Sequence, residues 1–340
     1  MTGSDAVNAL STLSTLNTPD TLTSLPIQIT PPDITQWQSG SGGVRYVHER
    51  VGPRPGPDVL VTALVHGNEY SGAVVVGELL ASGWQPAQGR VTFAFCNTAA
   101  FETFDEAQPD AARFVDEDFN RVWGAARLDR GEQSVELKRA RELRPLVDRA
   151  THLLDLHSMH EVSAPLLVTG TLQRNIVFAQ ALQTASQVII DSGHADGVRM
   201  RDYGAFADPG GSKIALLLEA GQHWQASSVA VARNTLGRFL IAAGAVSQLE
   251  AQATLPANWL QASVAPPLPV TVTDRVVAQS MDFAFTHPFT GGEVLATAGT
   301  VIAHDGGQPV LTPYDNCVLV MPSVRQLRAG VTVVRLGQHN

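Results

Sequence analysis

The chain has 340 residues and a formal net charge of −9, with 44% hydrophobic and 16% charged residues. These values are typical of a soluble globular protein, and the length is sufficient for one large domain plus a smaller one. A nucleic-acid-binding protein would normally carry a basic face, so the acidic balance predicts no nucleic-acid partner.

Membrane and secretory classes are also disfavoured. No apolar run approaches the length that spans a bilayer, so no membrane association is expected. The two cysteines, Cys96 and Cys317, do not make a disulfide framework. The first basic residue is Arg45, so neither a secretory n-region nor an Arg-rich transit peptide precedes it. We therefore expect a cytoplasmic location.

The first residues of the chain, 1–40, predict a poorly structured N-terminal arm. They are rich in Ser, Thr and Leu without sustained periodicity, and prolines interrupt the segment. The spacing of Leu10, Leu13 and Leu16 would also suit a short helix packing on a neighbour, so a homo-oligomer is left open.

A buried strand is predicted at Val59–Val65, and it leads into the sequence His66-Gly67-Asn68-Glu69 before a helix at Ser71–Ser82. Ligands of open α/β sheets bind outside the carboxyl ends of strands, where His66 and Glu69 would lie. An imidazole and a carboxylate at this spacing can converge on a zinc ion. The alternative is a polar turn in which Glu69 only complements the dipole of the following helix.

A second strand, Arg90–Cys96, precedes a polar and irregular stretch, Ala111–Gly124, which contains Arg113, Asn120 and Arg121. The guanidinium group is a planar fork that binds carboxylates through two hydrogen bonds. By itself, the local sequence favours surface arginines neutralised by the neighbouring acidic residues.

A charged helix at Glu132–Ala150 is followed by an apolar run, Thr151–Leu156, that leads into His157. This repeats the pattern of a buried strand followed by an imidazole. Two such histidines favour a shared metal ion over the alternative that each is a buried histidine hydrogen-bonded to a neighbour. Asp155 could orient the imidazole of His157 as a hydrogen-bond partner.

The next predicted elements are a helix at Thr171–Ile190, a fully buried strand at Lys213–Leu218 and a helix at Gln225–Leu249. Glu219 follows the strand directly. A carboxylate at a third strand end is a candidate general base for water at a metal, or else a cap or turn residue.

The alternation of strands and helices predicts an α/β fold with a mixed central sheet and helices on both faces. We expect the catalytic domain to span residues 41–260. Short β-like runs separated by turns predict a small β domain over residues 265–340.

Four motifs occur in order: HGNE at 66–69, DEDFNR at 116–121, LLDLHS at 153–158 and LLLEAG at 216–221. Together they resemble the zinc carboxypeptidase-like superfamily, and within it the succinylglutamate desuccinylase/aspartoacylase family. The resemblance covers roughly residues 45–340.

The resemblance implies one zinc ion per chain, held by His66, Glu69 and His157. It also implies that Glu219 is the general base and acid, and that Arg113 polarises the scissile carbonyl. Asn120 and Arg121 match the pair that contacts the substrate carboxylate in the family. The expected protein is a zinc-dependent hydrolase of a small, anionic N-acyl amino acid or related amide.

The chain departs from the family pattern in two places. Phe119 stands where relatives usually have Leu, and Pro209 stands where members with acidic substrates have an arginine for a second carboxylate. Lys213 or Arg201 could replace that arginine. The alternatives are a metallocarboxypeptidase that trims peptide or peptidoglycan ends and a non-catalytic, zinc-stabilised binding protein.

Overall fold

The computed structural model describes residues 25–131, 133–194, 196–263 and 265–340. The chain forms two units. The larger unit comprises Pro26–Met159 and Ala164–Pro269, and the smaller comprises Leu25, His160–Ser163 and Val270–Asn340.

A mixed sheet forms the centre of the larger unit. Its strands are β1 (Val47–Val51), β2 (Arg54–Ala63), β3 (Gln88–Phe95), β4 (His152–Met159), β5 (Leu166–Val168), β6 (Gln187–Ile190) and β7 (Ile214–Gln222). Within the described residues the strand order is β1-β3-β2-β4-β7-β5-β6. The strands β3, β2, β4 and β7 are parallel, whereas β1 is antiparallel to β3 and β5 is antiparallel to β7.

Helices cover both faces of this sheet. The α-helices are α1 (Ser71–Ala81), α2 (Thr98–Phe101), α3 (Ala125–Leu128), α4 (Val135–Arg149), α5 (Gln173–Leu182), α6 (Ala226–Ala242) and α7 (Gln248–Thr254). Helix α6 contacts α1 and α5, and all three pack on the central strands. Helix α4 packs on the opposite face, where Leu137 and Leu143 join Leu60 and Leu153 in one core. The predicted fold class is therefore confirmed.

The central strands form where the sequence is continuously apolar. Residues 59–63 of β2 and residues 153–159 of β4 are buried without interruption. Strands covered on both faces have no solvated side, so they show apolar runs instead of alternation. The end of such a run marks the edge of the sheet.

The smaller unit is built from short strands: β8 (Pro269–Val277), β9 (Ala284–Phe285), β10 (Val294–Leu295), β11 (Val301–Asp305), β12 (Gln308–Leu311), β13 (Cys317–Val320) and β14 (Thr332–His339). Strands β8, β14, β13 and β10 pair antiparallel in that order, and β12, β11 and β9 form a second, three-stranded sheet. Phe283, Ile302 and Leu319 belong to its buried core. Among the described helices of the whole chain, none has the length and apolar character required to cross a membrane.

Two long helices predicted from the sequence are wrong in extent. The segment predicted as Thr171–Ile190 ends its helix at Leu182, because Gln183 adopts a left-handed φ of 53°, and residues 187–190 then form β6. The segment predicted as Gln225–Leu249 is divided between α6 and α7. Its apolar content reflects burial beside a sheet, which does not distinguish a helix from a strand.

Residues 1–24 of the predicted N-terminal arm lie outside the described residues. Residues 25–34 form neither helix nor strand, and the amide of Gln28 donates a hydrogen bond of 2.9 Å to the carbonyl of Trp224. A short 3-10 helix follows at Thr35–Trp37. This part of the arm is bound to the larger unit.

The break between α6 and α7 leads to a prediction about the free energy of unfolding. Gly244 has a left-handed φ of +79°, and a Cβ atom there would contact nothing closer than 3.8 Å. The substitution Gly244→Ala should therefore destabilise the fold through the backbone alone, by roughly 1 kcal/mol.

Gly77 is the matched control, because it lies inside α1 and a Cβ atom there would meet only Trp37, at 3.7 Å. Gly77→Ala should stabilise the fold by roughly 0.5 kcal/mol. Urea unfolding followed by circular dichroism measures both changes. Equal effects of the same sign would contradict the proposed cause of the helix break.

Candidate functional site

The two histidines predicted to bind a metal and the predicted general base lie at the carboxyl edge of the parallel strands. His66 follows the end of β2, His157 lies in the last part of β4, and Glu219 lies in the last part of β7. His157 and Glu219 are direct neighbours in the β4–β7 register. Because β2, β4 and β7 run parallel, their carboxyl ends bring these side chains to one place.

The turn after β2 depends on a glycine. A Cβ atom on Gly67 would lie 2.4 Å from the carbonyl oxygen of Ala112 and 2.5 Å from the backbone of Ala100 and Phe101. The amide of Gly67 donates a hydrogen bond of 3.1 Å to the carbonyl of Arg113. This close approach places Arg113 beside the site, so the glycine of the HGNE motif has a packing function.

Three side chains converge there. The Nδ1 atom of His66 lies 2.7 Å from Oε1 of Glu69, and Nδ1 of His157 lies 2.9 Å from Oε2 of the same carboxylate. One ligand atom from each of the three residues lies within 4.8 Å of the others. Each of these residues is only 3% exposed. Two imidazole nitrogens and a carboxylate oxygen are therefore preorganised around one point.

The second ring nitrogen of each imidazole faces another carboxylate. Nε2 of His66 lies 3.0 Å from Oδ1 of Asp118, and Nε2 of His157 lies 2.9 Å from Oδ2 of Asp155. Asp155 is in turn fixed by a hydrogen bond of 2.7 Å from the hydroxyl of Thr62. Histidines that bind metals are typically oriented by such carboxylates.

These contacts shift the protonation of the group. Burial alone would raise the pKa of Glu69, but His66 and His157 hold that pKa well below its usual value. Burial would also raise the pKa of Asp118, which His66 and Arg113 likewise hold well below its usual value. Burial would lower the pKa of His157, but Asp155 and Glu69 hold it well above its usual value. The cluster is thus a concentration of ionised carboxylates that attracts positive charge.

Glu219 differs from the other carboxylates of the site. Burial raises its pKa, and the charge of Glu69 raises it further, to about 8, against the opposing effect of His157 and Arg113. Its Oε2 atom is shielded from solvent and has no hydrogen-bond partner within the described residues. A buried carboxyl oxygen without a partner is costly for a purely structural group. It is the arrangement expected of a group that exchanges protons.

Arg113 is the last residue of a short 3-10 helix, Pro109–Arg113. Its Nη1 atom donates a hydrogen bond of 3.1 Å to Oε1 of Glu69, and its Nη2 atom donates one of 3.1 Å to Oδ2 of Asp118. The Nη2 atom also lies 2.9 Å from Nε2 of His66. Burial would lower the pKa of Arg113, but the charges of Asp118 and Glu69 raise it. The neighbouring Asp118 does neutralise Arg113, as the local sequence suggested, but the arginine is not on the surface, since its side chain is 13% exposed.

Asn120 and Arg121 lie in a second 3-10 helix, Phe119–Arg121, which follows residues 114–118. The amide of Met200 donates a hydrogen bond of 2.9 Å to Oδ1 of Asn120, which fixes the plane of this buried amide. Nη1 of Arg121 donates one of 2.8 Å to the carbonyl of Asn120.

Lys213 and Arg201, the two residues considered as replacements for the arginine missing at position 209, lie in different surroundings. Lys213 precedes β7 at its amino end, away from Glu219, and its Nζ donates a hydrogen bond of 2.5 Å to the carbonyl of Asp148. Arg201 is 2% exposed, and its Nη2 donates a hydrogen bond of 2.5 Å to the carbonyl of Thr169. Lys213 is therefore not a candidate for this site.

Asp118 is a site residue that sequence analysis missed, because its acidic neighbours made it resemble a surface charge. The signal available was its position two residues before Asn120. Its side chain accepts a hydrogen bond of 2.8 Å from the amide of Asn120, so one carboxylate connects the 3-10 helix to His66.

The fold occurs in solved structures of low sequence identity. A succinylglutamate desuccinylase/aspartoacylase from Rhodobacter sphaeroides matches with a TM-score of 0.63 and 18% identity, covering 89% of this chain and 91% of that one. The product-bound ectoine utilization protein EutE (DoeB) from Ruegeria pomeroyi matches with a TM-score of 0.62 and 20% identity, covering 87% and 89%.

Sequence comparison identifies the relatives. The protein named "Probable aspartoacylase" from Parasynechococcus marenigrum is 33% identical over 148 residues, which are 42% of this chain and 47% of that protein. The match thus spans about half of that relative. The family model of the succinylglutamate desuccinylase/aspartoacylase catalytic domain matches residues 55–241, more than half of the chain. The protein belongs to the succinylglutamate desuccinylase/aspartoacylase family.

Proposed function

We propose that this protein is a zinc-dependent hydrolase that cleaves the amide bond of a small N-acyl amino acid or related amide. The observation that carries the proposal is the convergence of His66, Glu69 and His157 next to Glu219, whose Oε2 atom is buried without a partner. Members of this family are deacylases.

The residues fit a zinc ion by donor type and by charge. Three protein ligands of nitrogen and oxygen type are those of a catalytic zinc, which keeps one position open. Glu69, Asp118 and Asp155 with Arg113 sum to a formal charge of −2 when the imidazoles are neutral, which a divalent cation would balance. Bound there, zinc would polarise the amide carbonyl and make water a nucleophile at neutral pH.

Glu219 is assigned the role of general base and general acid. The pKa of Glu219, raised to about 8 without a metal, is close enough to neutral pH for proton exchange, and the charge of a bound divalent cation would lower it toward the ionised form that accepts a proton. Glu219 would first accept the proton of the attacking water and would then deliver it to the nitrogen of the leaving amine. Its place beside His157 in the sheet would keep that proton close to a carbonyl bound at the predicted metal ligands.

Arg113 and the Asn120–Arg121 pair are assigned to the substrate. The guanidinium of Arg113 would donate to the carbonyl oxygen as negative charge develops on it, exchanging its present contact with Glu69 for the oxyanion. Asn120 and Arg121 would bind the carboxylate of the amino acid. The amide plane of Asn120 is already fixed by Met200, so little ordering is required on binding.

The three histidine and glutamate ligands predict about one zinc per chain in protein purified without chelators. His66→Ala should lose most of it, and Asp155→Asn should weaken zinc binding by about 10- to 100-fold, because the imidazole of His157 loses its orienting carboxylate. His152→Asn is the matched control, since His152 begins β4 and lies about 16 Å along the strand from His157. Metal analysis and competition with a chromogenic chelator measure both quantities. Equal zinc content in wild type and His66→Ala would contradict the site.

Glu219→Gln should keep its zinc and lose at least about 100-fold in turnover, because the amide group cannot accept the proton. Hydrolysis is measured on a panel that contains N-acetylaspartate, N-succinylglutamate, neutral N-acyl amino acids and short peptides. Glu78→Gln, which removes a partly exposed carboxylate of α1 paired with Arg233, is the control and should keep full activity.

An active Glu219→Gln enzyme would contradict the assigned proton carrier. A preference for peptides of several residues would favour a metallocarboxypeptidase instead. Stoichiometric zinc with no hydrolysis of any amide on the panel would favour the non-catalytic binding protein.

A further inference from the structure

Glu136, in the first turn of α4, is a fully buried carboxylate, with an exposure of 0%. Its Oε1 atom accepts hydrogen bonds from the amide of Val115 at 2.7 Å and from Nδ2 of Asn97 at 3.0 Å. Its Oε2 atom accepts from the amides of Asp116 at 3.1 Å and Glu117 at 3.3 Å. Four N–H donors thus compensate the desolvation of one charge.

The segment that Glu136 binds, residues 114–118, contains neither helix nor strand. Backbone amides shielded from water require an acceptor, and in regular structure a neighbouring carbonyl supplies it. Here a single side chain takes three successive amides. The conformation of this segment therefore depends on a residue that lies some twenty positions away in the sequence.

Two site residues flank this segment. Arg113 precedes it and donates to Glu69, whereas Asp118 ends it and lies 3.0 Å from the imidazole of His66. Arg113 and Asp118 also bind each other at 3.1 Å. A change in the path of residues 114–118 would move both groups relative to the predicted ligands.

The contact between the segment and α4 is reciprocal. The amide of Val135 donates a hydrogen bond of 2.7 Å to Oδ2 of Asp116, and the hydroxyl of Ser134 donates one of 2.5 Å to Oε1 of Glu117. Helix α4 is anchored in the core through Leu137 and Leu143. It is thus a rigid base for the segment.

We propose that Glu136 is a positioning residue of the active site: it holds residues 114–118 so that Arg113 and Asp118 face the His66–Glu69 pair. It does not touch the substrate, and it acts through Arg113. The kinetic part of this inference rests on the proposed amidohydrolase function, whereas the structural part does not.

The test is a double-mutant cycle with Arg113. Glu136→Gln preserves shape but turns an NH2 group toward backbone amides, so at least one of them loses its acceptor. We expect kcat to fall by about 100-fold with little change in zinc content, because the guanidinium is displaced from the reacting carbonyl. In the Arg113→Ala background the same change should reduce kcat by less than about 3-fold. Losses that multiply in the double variant would overturn the proposal in favour of a general structural role.

Asn234→Ala is the matched structural control. Asn234 is a buried side chain whose Oδ1 accepts a hydrogen bond of 3.0 Å from the amide of Gln261, remote in the chain from the site motifs. Its loss should lower the unfolding midpoint in urea and leave kcat unchanged. A loss of kcat in Asn234→Ala equal to that in Glu136→Gln would overturn the proposal.

Hydrogen exchange measured by mass spectrometry tests, without any substrate, whether Glu136 holds residues 114–118 in place. In Glu136→Gln, a peptide that contains residues 114–118 should exchange at least about 10-fold faster, and a peptide from β4 should be unchanged. Unchanged exchange of the first peptide would overturn the proposal. If exchange of this peptide is faster but the protein hydrolyses no amide, the structural role of Glu136 is supported and only the proposed function is contradicted.

Discussion

The carboxylate of Glu69 is the contact on which the rest of the site depends. Its two oxygens face Nδ1 of His66, in the turn after β2, and Nδ1 of His157, in β4. The amide of Ser158 and the guanidinium of Arg113 donate to the same carboxylate. A buried charge with this many partners fixes its surroundings, since removal of any one partner leaves part of the charge uncompensated.

Two kinds of support hold this centre. The histidines and Glu219 stand at the ends of parallel strands, whose positions are set by the hydrogen bonds of the sheet and by the core on both faces. Asp118 lies on a segment without such bonds, which Arg113 directly precedes, and hydrogen bonds to side chains replace the missing bonds. Gly67 permits the close approach of the segment to the β2 turn, and Glu136 binds its amides.

Residues placed by the sheet could be predicted from the sequence, whereas residues placed by side-chain hydrogen bonds could not. The runs that end at His66, His157 and Glu219 are local patterns, so the strands, the predicted ligands and the fold class could be derived from them. The break at Gly244 depends on the φ angle of one residue, and the strand β6 was hidden in an apolar run that suits either structure. Local sequence cannot distinguish these.

The functions of Asp118 and Glu136 could not be derived in the same way, because both act across long sequence separations. Each is an ordinary acidic residue beside other charges, and only tertiary contacts separate it from a solvated one. The two kinds of support differ in how much change they tolerate. The ends of the parallel strands are fixed by the backbone hydrogen bonds of the sheet, whereas a segment held by side-chain hydrogen bonds can change its path without disturbing the sheet. Substrate preference can therefore diverge through residues 113–121 while the three predicted metal ligands stay in place.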